Sequence, residues 1–135
     1  MIFIDTSAFL AIENRQDAHH ILALDFKDSC LKAGQTLITS DYVLDESYTI
    51  IRSRAGHRIA VQFGEALRAS HLLRIEFITP EIIEKAWQVF KDFTDHDFIF
   101  TDCTSFVLME RLHLPPAFTL DAHFKEYGRF LVKPG

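Results

Sequence analysis

Short apolar runs alternate with helical patterns along this chain. The first run, residues 2–5, shows no polar alternation, which is typical of a strand buried on both faces of a sheet. The sequence predicts four further short strands, at residues 36–39, 72–77, 117–120 and 130–132.

The segments between these strands carry apolar residues at helical spacing. Gly34 is a typical C-cap residue, Ser40 or Asp41 a typical N-cap, and Pro80 a typical first helical residue. The predicted helices are residues 8–14, 17–33, 41–54, 58–70, 80–93 and 101–113, with a helical turn over 121–127. Strands that alternate with helices favour an α/β fold, in which a parallel sheet has helices on both faces. The length of 135 residues fits one domain over residues 1–135.

Four acids lie where predicted elements begin or end. Two follow apolar strands, one opens a helix and one lies early in a helix: they are, in that order, Asp5 and Asp121, Asp102, and Glu46. Ligands of open parallel sheets bind at the carboxyl ends of the strands, so these acids are expected to share one cleft. Carboxylates gathered in a cleft repel each other unless a cation lies among them, and all-oxygen ligand sets suit Mg²⁺ or Mn²⁺. The pattern therefore predicts a metal-dependent phosphoryl-transfer site.

Charge and cysteine usage narrow the class of protein. The formal net charge of −5 argues against tight non-specific binding of nucleic acid, but a metal cluster can still recruit a phosphate locally. No apolar stretch reaches the roughly 20 residues of a membrane span, and the N-terminus lacks the basic start of a secretory signal. Cys30 and Cys103 match no metal spacing, so we expect free buried thiols in a reducing cytoplasm.

Four stretches of the chain resemble the PIN domain family, and within it the VapC-like ribonuclease toxins. They are IDTSAFLA at 4–11, TSDYVLDESYTII at 39–51, FIFTDCTSFVLMERL at 98–112 and AFTLDAHF at 117–124. The resemblance implies a three-layer α/β/α fold around a central parallel sheet of about five strands. It also implies that Asp5, Glu46, Asp102 and Asp121 hold Mg²⁺ or Mn²⁺. The implied activity is endoribonuclease, with RNA as substrate, and the implied partners are a small cognate antitoxin protein and a second copy of the chain.

Several residues near the acids allow two interpretations. Asp5 can cap the following helix as well as bind a metal, and Ser7 is expected to cap. Thr6 is a candidate contact for a metal-held water or a substrate phosphate. Helical periodicity does not decide whether Asp45 or Glu46 faces the site, and the family string favours Glu46.

The loop before the helix of Asp102 offers two more acids, Asp95 and Asp97. We expect both to bond nearby backbone amides rather than a metal. Of the seven histidines, most are expected at the surface, and His96 is the one to test because it lies close in sequence to Asp102.

The densest basic segment contains Arg52, Arg54, His57 and Arg58. It is either a solvated helix end, where cations suit the helix dipole, or a patch that contacts RNA phosphates at the rim of the cleft. The sequence also leaves two rivals to the nuclease. An aspartyl-phosphate phosphatase would want a second Asp where Ser7 stands, and a PIN-fold binding module without turnover would not need all four acids.

Overall fold

The computed structural model describes residues 1–114 and 116–135. Within these ranges the strands are β1 (Ile2–Ile4), β2 (Leu37–Ser40), β3 (Leu73–Glu76), β4 (Pro116–Phe118) and β5 (Leu131–Lys133). The helices there are α1 (Thr6–Glu13), α2 (His20–Lys32), α3 (Asp41–Ala55), α4 (His57–Ala69), α5 (Pro80–Asp92), α6 (Phe100–Arg111) and α7 (His123–Tyr127). The predicted elements are all present, with ends displaced by a few residues.

The five strands form one parallel sheet in the order β3-β2-β1-β4-β5. Every residue of β1 and β2 is buried, so the centre of the sheet is covered on both faces. The predicted α/β fold with a parallel sheet of about five strands is therefore confirmed. From β1 the chain passes to β2 on one side, whereas β4 lies on the other side of β1. A crevice opens where neighbouring connections leave in opposite directions, here beyond the carboxyl ends of β1 and β4.

Two strands are shorter than predicted: β3, which is an edge strand, and β4, which is an inner strand. The predicted strand 72–77 is reduced to Leu73–Glu76, and Phe77 beyond it is 71% exposed. The predicted strand 117–120 ends at Phe118, because the next residue, Thr119, already turns toward the acids and bonds Asp5 through its side chain. As an edge strand, β3 keeps one side unpaired, so it gains less from extension than a central strand does.

Phenylalanine, which accounts for 13 of the 135 residues, fills much of the core. Phe106 stacks on Tyr127 with ring centroids 4.3 Å apart, and Phe98 and Phe124 meet Phe106 edge to face at 5.1 and 5.0 Å. This aromatic cluster joins α6 to α7 and fixes the C-terminal part of the chain against the sheet. Both cysteines are buried and free, as expected.

None of the helices in the described ranges combines the length and the apolar character that crossing a membrane requires.

Candidate active site

A cavity of about 260 Å³ lies at the carboxyl ends of β1 and β4, and it contains all four predicted acids. We call it the acid cavity. Its lining residues are Asp5, Thr6, Ser7, Leu10, Glu46, Ile50, Arg54, Ile99, Asp102, Asp121 and His123. The four acids come from four different parts of the chain, so the fold alone brings them together.

Asp5 is only 1% exposed and follows β1 directly. Its Oδ2 accepts three hydrogen bonds: from the Ser7 amide at 3.4 Å, from Ser7 Oγ at 3.1 Å and from Thr119 Oγ1 at 3.1 Å. Its Oδ1 is buried and has no hydrogen-bond partner among the described residues. Asp5 is thus the N-cap of α1 and a member of the cavity at once, and the two predicted roles are compatible.

The electrostatic setting of Asp5 disfavours its charge. Burial raises the pKa of the Asp5 carboxyl well above its usual range, and repulsion from Asp121, Asp102 and Glu46 adds to the rise. A buried carboxylate oxygen without a donor is costly unless a cation or a proton lies beside it. The unpartnered Oδ1 is therefore the atom that best fits a bound cation.

Glu46, and not its neighbour Asp45, faces the acid cavity. Thr6 Oγ1 donates to Glu46 Oε1 at 2.7 Å, which fixes the carboxylate of α3 against the start of α1. Asp45 is exposed. Ser47 Oγ lies 3.4 Å from Thr6 Oγ1 and 2.6 Å from the Val43 carbonyl, so the hydroxyl of Thr6 sits in a fixed network.

Asp102 lies in the first turn of α6 and is 3% exposed. Its Oδ2 accepts from the Ile99 amide at 3.1 Å and lies 2.7 Å from Nδ1 of His123. Burial raises the pKa of Asp102 to about 6, the nearby His123 opposes that rise, and Asp121 adds to it. The carboxyl is therefore ionised at neutral pH only against a substantial desolvation penalty.

Asp121 follows β4 and is the most exposed of the three aspartates, with a side-chain exposure of 33%. The His123 amide donates to its Oδ1 at 2.9 Å. One potential ligand atom from each of Asp102, Asp121 and His123 lies within 4.8 Å of the other two. This distance is short enough for the groups to share one ion.

His123 is the residue of the cavity that the sequence analysis missed. The histidine chosen for testing, His96, is exposed and rests against Phe93 and Phe98, with ring centroids 5.6 and 4.9 Å away, and it does not line the cavity. That choice was wrong, because closeness in sequence to Asp102 does not predict closeness in space. The available signal was the spacing of two residues between Asp121 and His123 at the start of a helical turn.

The remaining candidate site residues fall either inside the acid cavity or outside it. Asp95 and Asp97 are exposed and do not line the acid cavity. Arg54 lines it, but Arg52 lines a different cavity and Arg58 lines neither. The side chains of residues two apart on a helix point in directions about 160° apart, so Arg52 and Arg54 cannot share a face. The predicted single arginine patch is therefore divided.

The cavity that contains Arg52 has a volume of about 280 Å³ and lies between α3 and α4. We call it the α3–α4 pocket. It is lined by Tyr48, Arg52, His57, Ala60, Val61, Gly64, Glu65 and Arg68. Three basic side chains thus surround a concave surface separate from the acids.

Both the sequence and the fold of this chain are similar to those of known proteins. The sequence profile of the PIN domain matches residues 2–130. The chain is 34% identical over 134 residues to the 23S rRNA-specific endonuclease VapC20 of Mycobacterium tuberculosis strain CDC 1551 / Oshkosh, and equally to that of strain ATCC 25618 / H37Rv, with 99% of each chain covered. The crystal structure of Mycobacterium tuberculosis VapC20, a sarcin-ricin loop cleaving toxin, matches this fold with a TM-score of 0.86 at 33% identity, covering 97% of both chains.

Proposed function

This chain belongs to the PIN domain family, and from that premise we propose that it is a divalent-metal-dependent endoribonuclease, the toxin of a toxin–antitoxin pair. The observation that carries the proposal is the convergence of four carboxylates on one cavity at the carboxyl ends of β1 and β4. The full-length similarity to an rRNA endonuclease supports RNA as the substrate class. The proposed catalytic and metal-binding residues are Asp5, Glu46, Asp102 and Asp121.

The residues of the acid cavity fit Mg²⁺ or Mn²⁺. All four proposed ligands are carboxylates, which these hard ions prefer, and the unpartnered Oδ1 of Asp5 is an oxygen that lacks a positive partner. When bound, a divalent ion supplies Lewis-acid charge that activates a water and offsets the negative charge developing on the scissile phosphate.

The protein's own contribution is to hold the carboxylates in fixed positions. Asp5 Oδ2 is tied by Ser7 and Thr119, and Glu46 is tied by Thr6, so neither side chain has to reorganise when a substrate arrives. Preorganised charges of this kind act strongly in a site that excludes water. A covalent nucleophile is not required.

Thr6 is the proposed substrate contact nearest the acids. Its hydroxyl hydrogen is already donated to Glu46, so only its oxygen is available to a bound RNA. A phosphate offers no donor to that oxygen, whereas a ribose 2′-hydroxyl does. Thr6 is therefore expected to meet a sugar hydroxyl or a water rather than a phosphate.

The arginines are proposed to bind RNA and not to take part in the chemistry. Arg54 lines the acid cavity and can reach a phosphate next to the scissile bond. Arg52 lies two residues earlier on α3 and Arg58 lies at the start of α4, so they can contact the strand farther from the acids. Such contacts are independent of sequence and weaken with salt.

Two protein partners complete the proposal, a cognate antitoxin and a second copy of the chain. An antitoxin segment with a basic side chain would pair with the carboxylates of the acid cavity and block it. A homodimer is supported by exposed apolar side chains on α5, where Trp87 and Phe90 stack at 5.8 Å and are 49% and 42% exposed. Trp87→Lys should give a monomer in sedimentation equilibrium if this face forms the dimer, and a parent that is itself monomeric would refute the dimer.

The decisive experiment measures cleavage of a defined rRNA fragment with Mn²⁺, with Mg²⁺ and with chelator. We expect strand cleavage with either ion, none with chelator, and loss of cleavage in the Asp5→Asn variant while its circular dichroism spectrum stays unchanged. Full activity of that variant would refute the site. RNA binding without cleavage by the parent at any metal concentration would instead favour the binding module without turnover.

A further inference from the structure

His123 holds a position in the acid cavity that the proposed mechanism does not use. It is the first residue of α7 and its side chain is 27% exposed. Its Nδ1 lies 2.7 Å from Asp102 Oδ2 and 4.0 Å from Asp121 Oδ1. The imidazole therefore contacts one proposed ligand closely and a second one loosely.

When Asp102 is ionised, the short contact sets the tautomer of His123. An ionised carboxylate can only accept, so Nδ1 of His123 must be the donor to Asp102. The Ile99 amide donates to the same oxygen at 3.1 Å. Two donors thus occupy Oδ2 of Asp102, whereas no donor from the described residues contacts its Oδ1.

The two carboxylate oxygens of Asp5 differ in the same way. Ser7 and Thr119 occupy its Oδ2, and its Oδ1 has no partner in the described ranges. In both aspartates the protein holds one oxygen by hydrogen bonds and leaves the other without a donor. His123 therefore donates to Oδ2 of Asp102 as Thr119 donates to Oδ2 of Asp5.

We propose that His123 is a positioning residue: its Nδ1–H fixes Asp102 Oδ2 and so reserves Asp102 Oδ1 for the divalent ion. This inference rests on the proposed function. Partners that hold a metal ligand in place typically contribute 10- to 100-fold to metal affinity or activity.

Direct ligation by His123 fits the geometry less well. Adjacent ligands of an octahedral Mg²⁺ lie about 2.9 Å apart, and a bound ion would put positive charge where the Nδ1 proton now sits. Oxygen ligands also suit Mg²⁺ and Mn²⁺ better than imidazole does. The contact of 2.7 Å is an ordinary charge-assisted hydrogen bond.

Two substitutions separate positioning from packing. His123→Phe keeps an aromatic ring against Phe98, whose centroid lies 5.7 Å from that of His123, but it removes the donor. His123→Asn loses the ring but keeps an N–H donor near the position of Nδ1. Packing alone would favour the Phe variant, whereas positioning favours the Asn variant.

The test measures Mn²⁺ binding by titration calorimetry, which does not depend on cleavage. We expect His123→Phe to weaken binding about 10- to 100-fold and His123→Asn to recover most of the parental affinity. Parental affinity in the Phe variant would overturn the proposal, and so would failure of Asn to bind better than Phe. Thermal unfolding of both variants in chelator shows whether each is folded.

Electron spin echo spectroscopy of Mn²⁺ bound to protein with ¹⁵N-labelled histidine provides the second arm. We expect no strong nitrogen coupling, because the imidazole lies outside the ion's own ligands. A strong coupling that vanishes in His123→Phe would make His123 a ligand and overturn its positioning role. A parent that binds no Mn²⁺ at all would instead refute the proposed function, so the two failures are distinguishable.

Discussion

The acid cavity and the α3–α4 pocket both include residues of α3, but their charged side chains differ in burial and in hydrogen bonding. In the acid cavity Asp5 and Asp102 are almost fully buried, and hydrogen bonds occupy one oxygen of each. In the α3–α4 pocket Arg52, His57 and Arg68 are exposed, and none of them forms an ion pair with the described part of the chain. One cavity holds buried charge fixed by hydrogen bonds, and the other holds exposed, hydrated charge.

Because of this difference in burial, we expect the two cavities to affect different properties, the rate of cleavage and the affinity for RNA. Buried charges interact strongly and depend on every nearby atom, so a single substitution among them changes what the site can do. Exposed charges are screened by salt, and each contributes about 1 kcal/mol or less. Substitutions of the four acids in the acid cavity should therefore change the rate of cleavage, and those in the α3–α4 pocket should change only how tightly RNA binds.

The largest effect is expected at Glu46 on α3, and its neighbour Asp45 provides the matched control. Glu46→Gln should lower the rate of RNA cleavage at saturating substrate by about 1,000-fold or more, because it removes a preorganised charge from the site. Asp45→Asn changes the same charge one residue away on the exposed side and should leave the rate unchanged. Single-turnover cleavage assays measure both, and equal rates for the two variants would contradict the placement of Glu46.

The metal-free protein should lose stability as the pH rises. The pKa of Asp102 is near 3.8 in the unfolded chain and about 6 in the folded one, so the folded state holds the proton more tightly. The stability that goes with this proton is complete below pH 3.8 and is lost as the pH rises through about 6. The difference corresponds to on the order of 3 kcal/mol.

Urea unfolding in chelator between pH 4.5 and about pH 7.5 measures this loss. Asp102→Asn should flatten the profile, although Asp5, whose pKa is also raised, keeps part of the slope. Asp97→Asn removes an exposed loop carboxylate and should keep the parental profile. A parental slope in Asp102→Asn would show that the carboxyl does not titrate differently in the folded state.

Divalent ions should stabilise the protein through the acid cavity alone. An ion that binds only the folded state, at 100 times its dissociation constant, contributes about 2.7 kcal/mol. Thermal unfolding with and without Mg²⁺ should show the gain in the parent and in the double variant Arg52→Gln/Arg68→Gln. Asp5→Asn should lose most of it. An equal gain in Asp5→Asn would place the ion outside the acid cavity.

The smallest effect is expected in the α3–α4 pocket. Arg52→Gln/Arg68→Gln should weaken RNA binding at low salt by about 1 kcal/mol, roughly fivefold in Kd, and should flatten its salt dependence. Glu65→Gln removes a negative charge from the same pocket and should tighten binding. Fluorescence anisotropy across a salt series measures both. Changes of the same sign in the two variants would show that the pocket does not contact RNA.

The sheet and the gathering of acids could be predicted from the sequence, because both follow from patterns that span only a few residues. A buried apolar strand followed by an acid can be recognised over five residues, and parallel topology then places Asp5 and Asp121 at the same edge. The division of Arg52 from Arg54 was also accessible, since helical periodicity puts them on different faces. For His123 the sequence offered only its two-residue spacing from Asp121, because its partner Asp102 lies 21 residues earlier and meets it only after α7 folds back.

The bond between Asp5 and Thr119 joins residues 114 positions apart. During translation Asp5 emerges first, and Asp102 and Asp121, which complete the acid cavity, emerge 97 and 116 residues later. A chain that stops before residue 102 carries Asp5 and Glu46 but neither Asp102 nor Asp121. Under the proposed function, a stop codon or frameshift before codon 102 should therefore yield a harmless product. Mutants selected for survival should carry such lesions throughout the region that encodes residues 1–101.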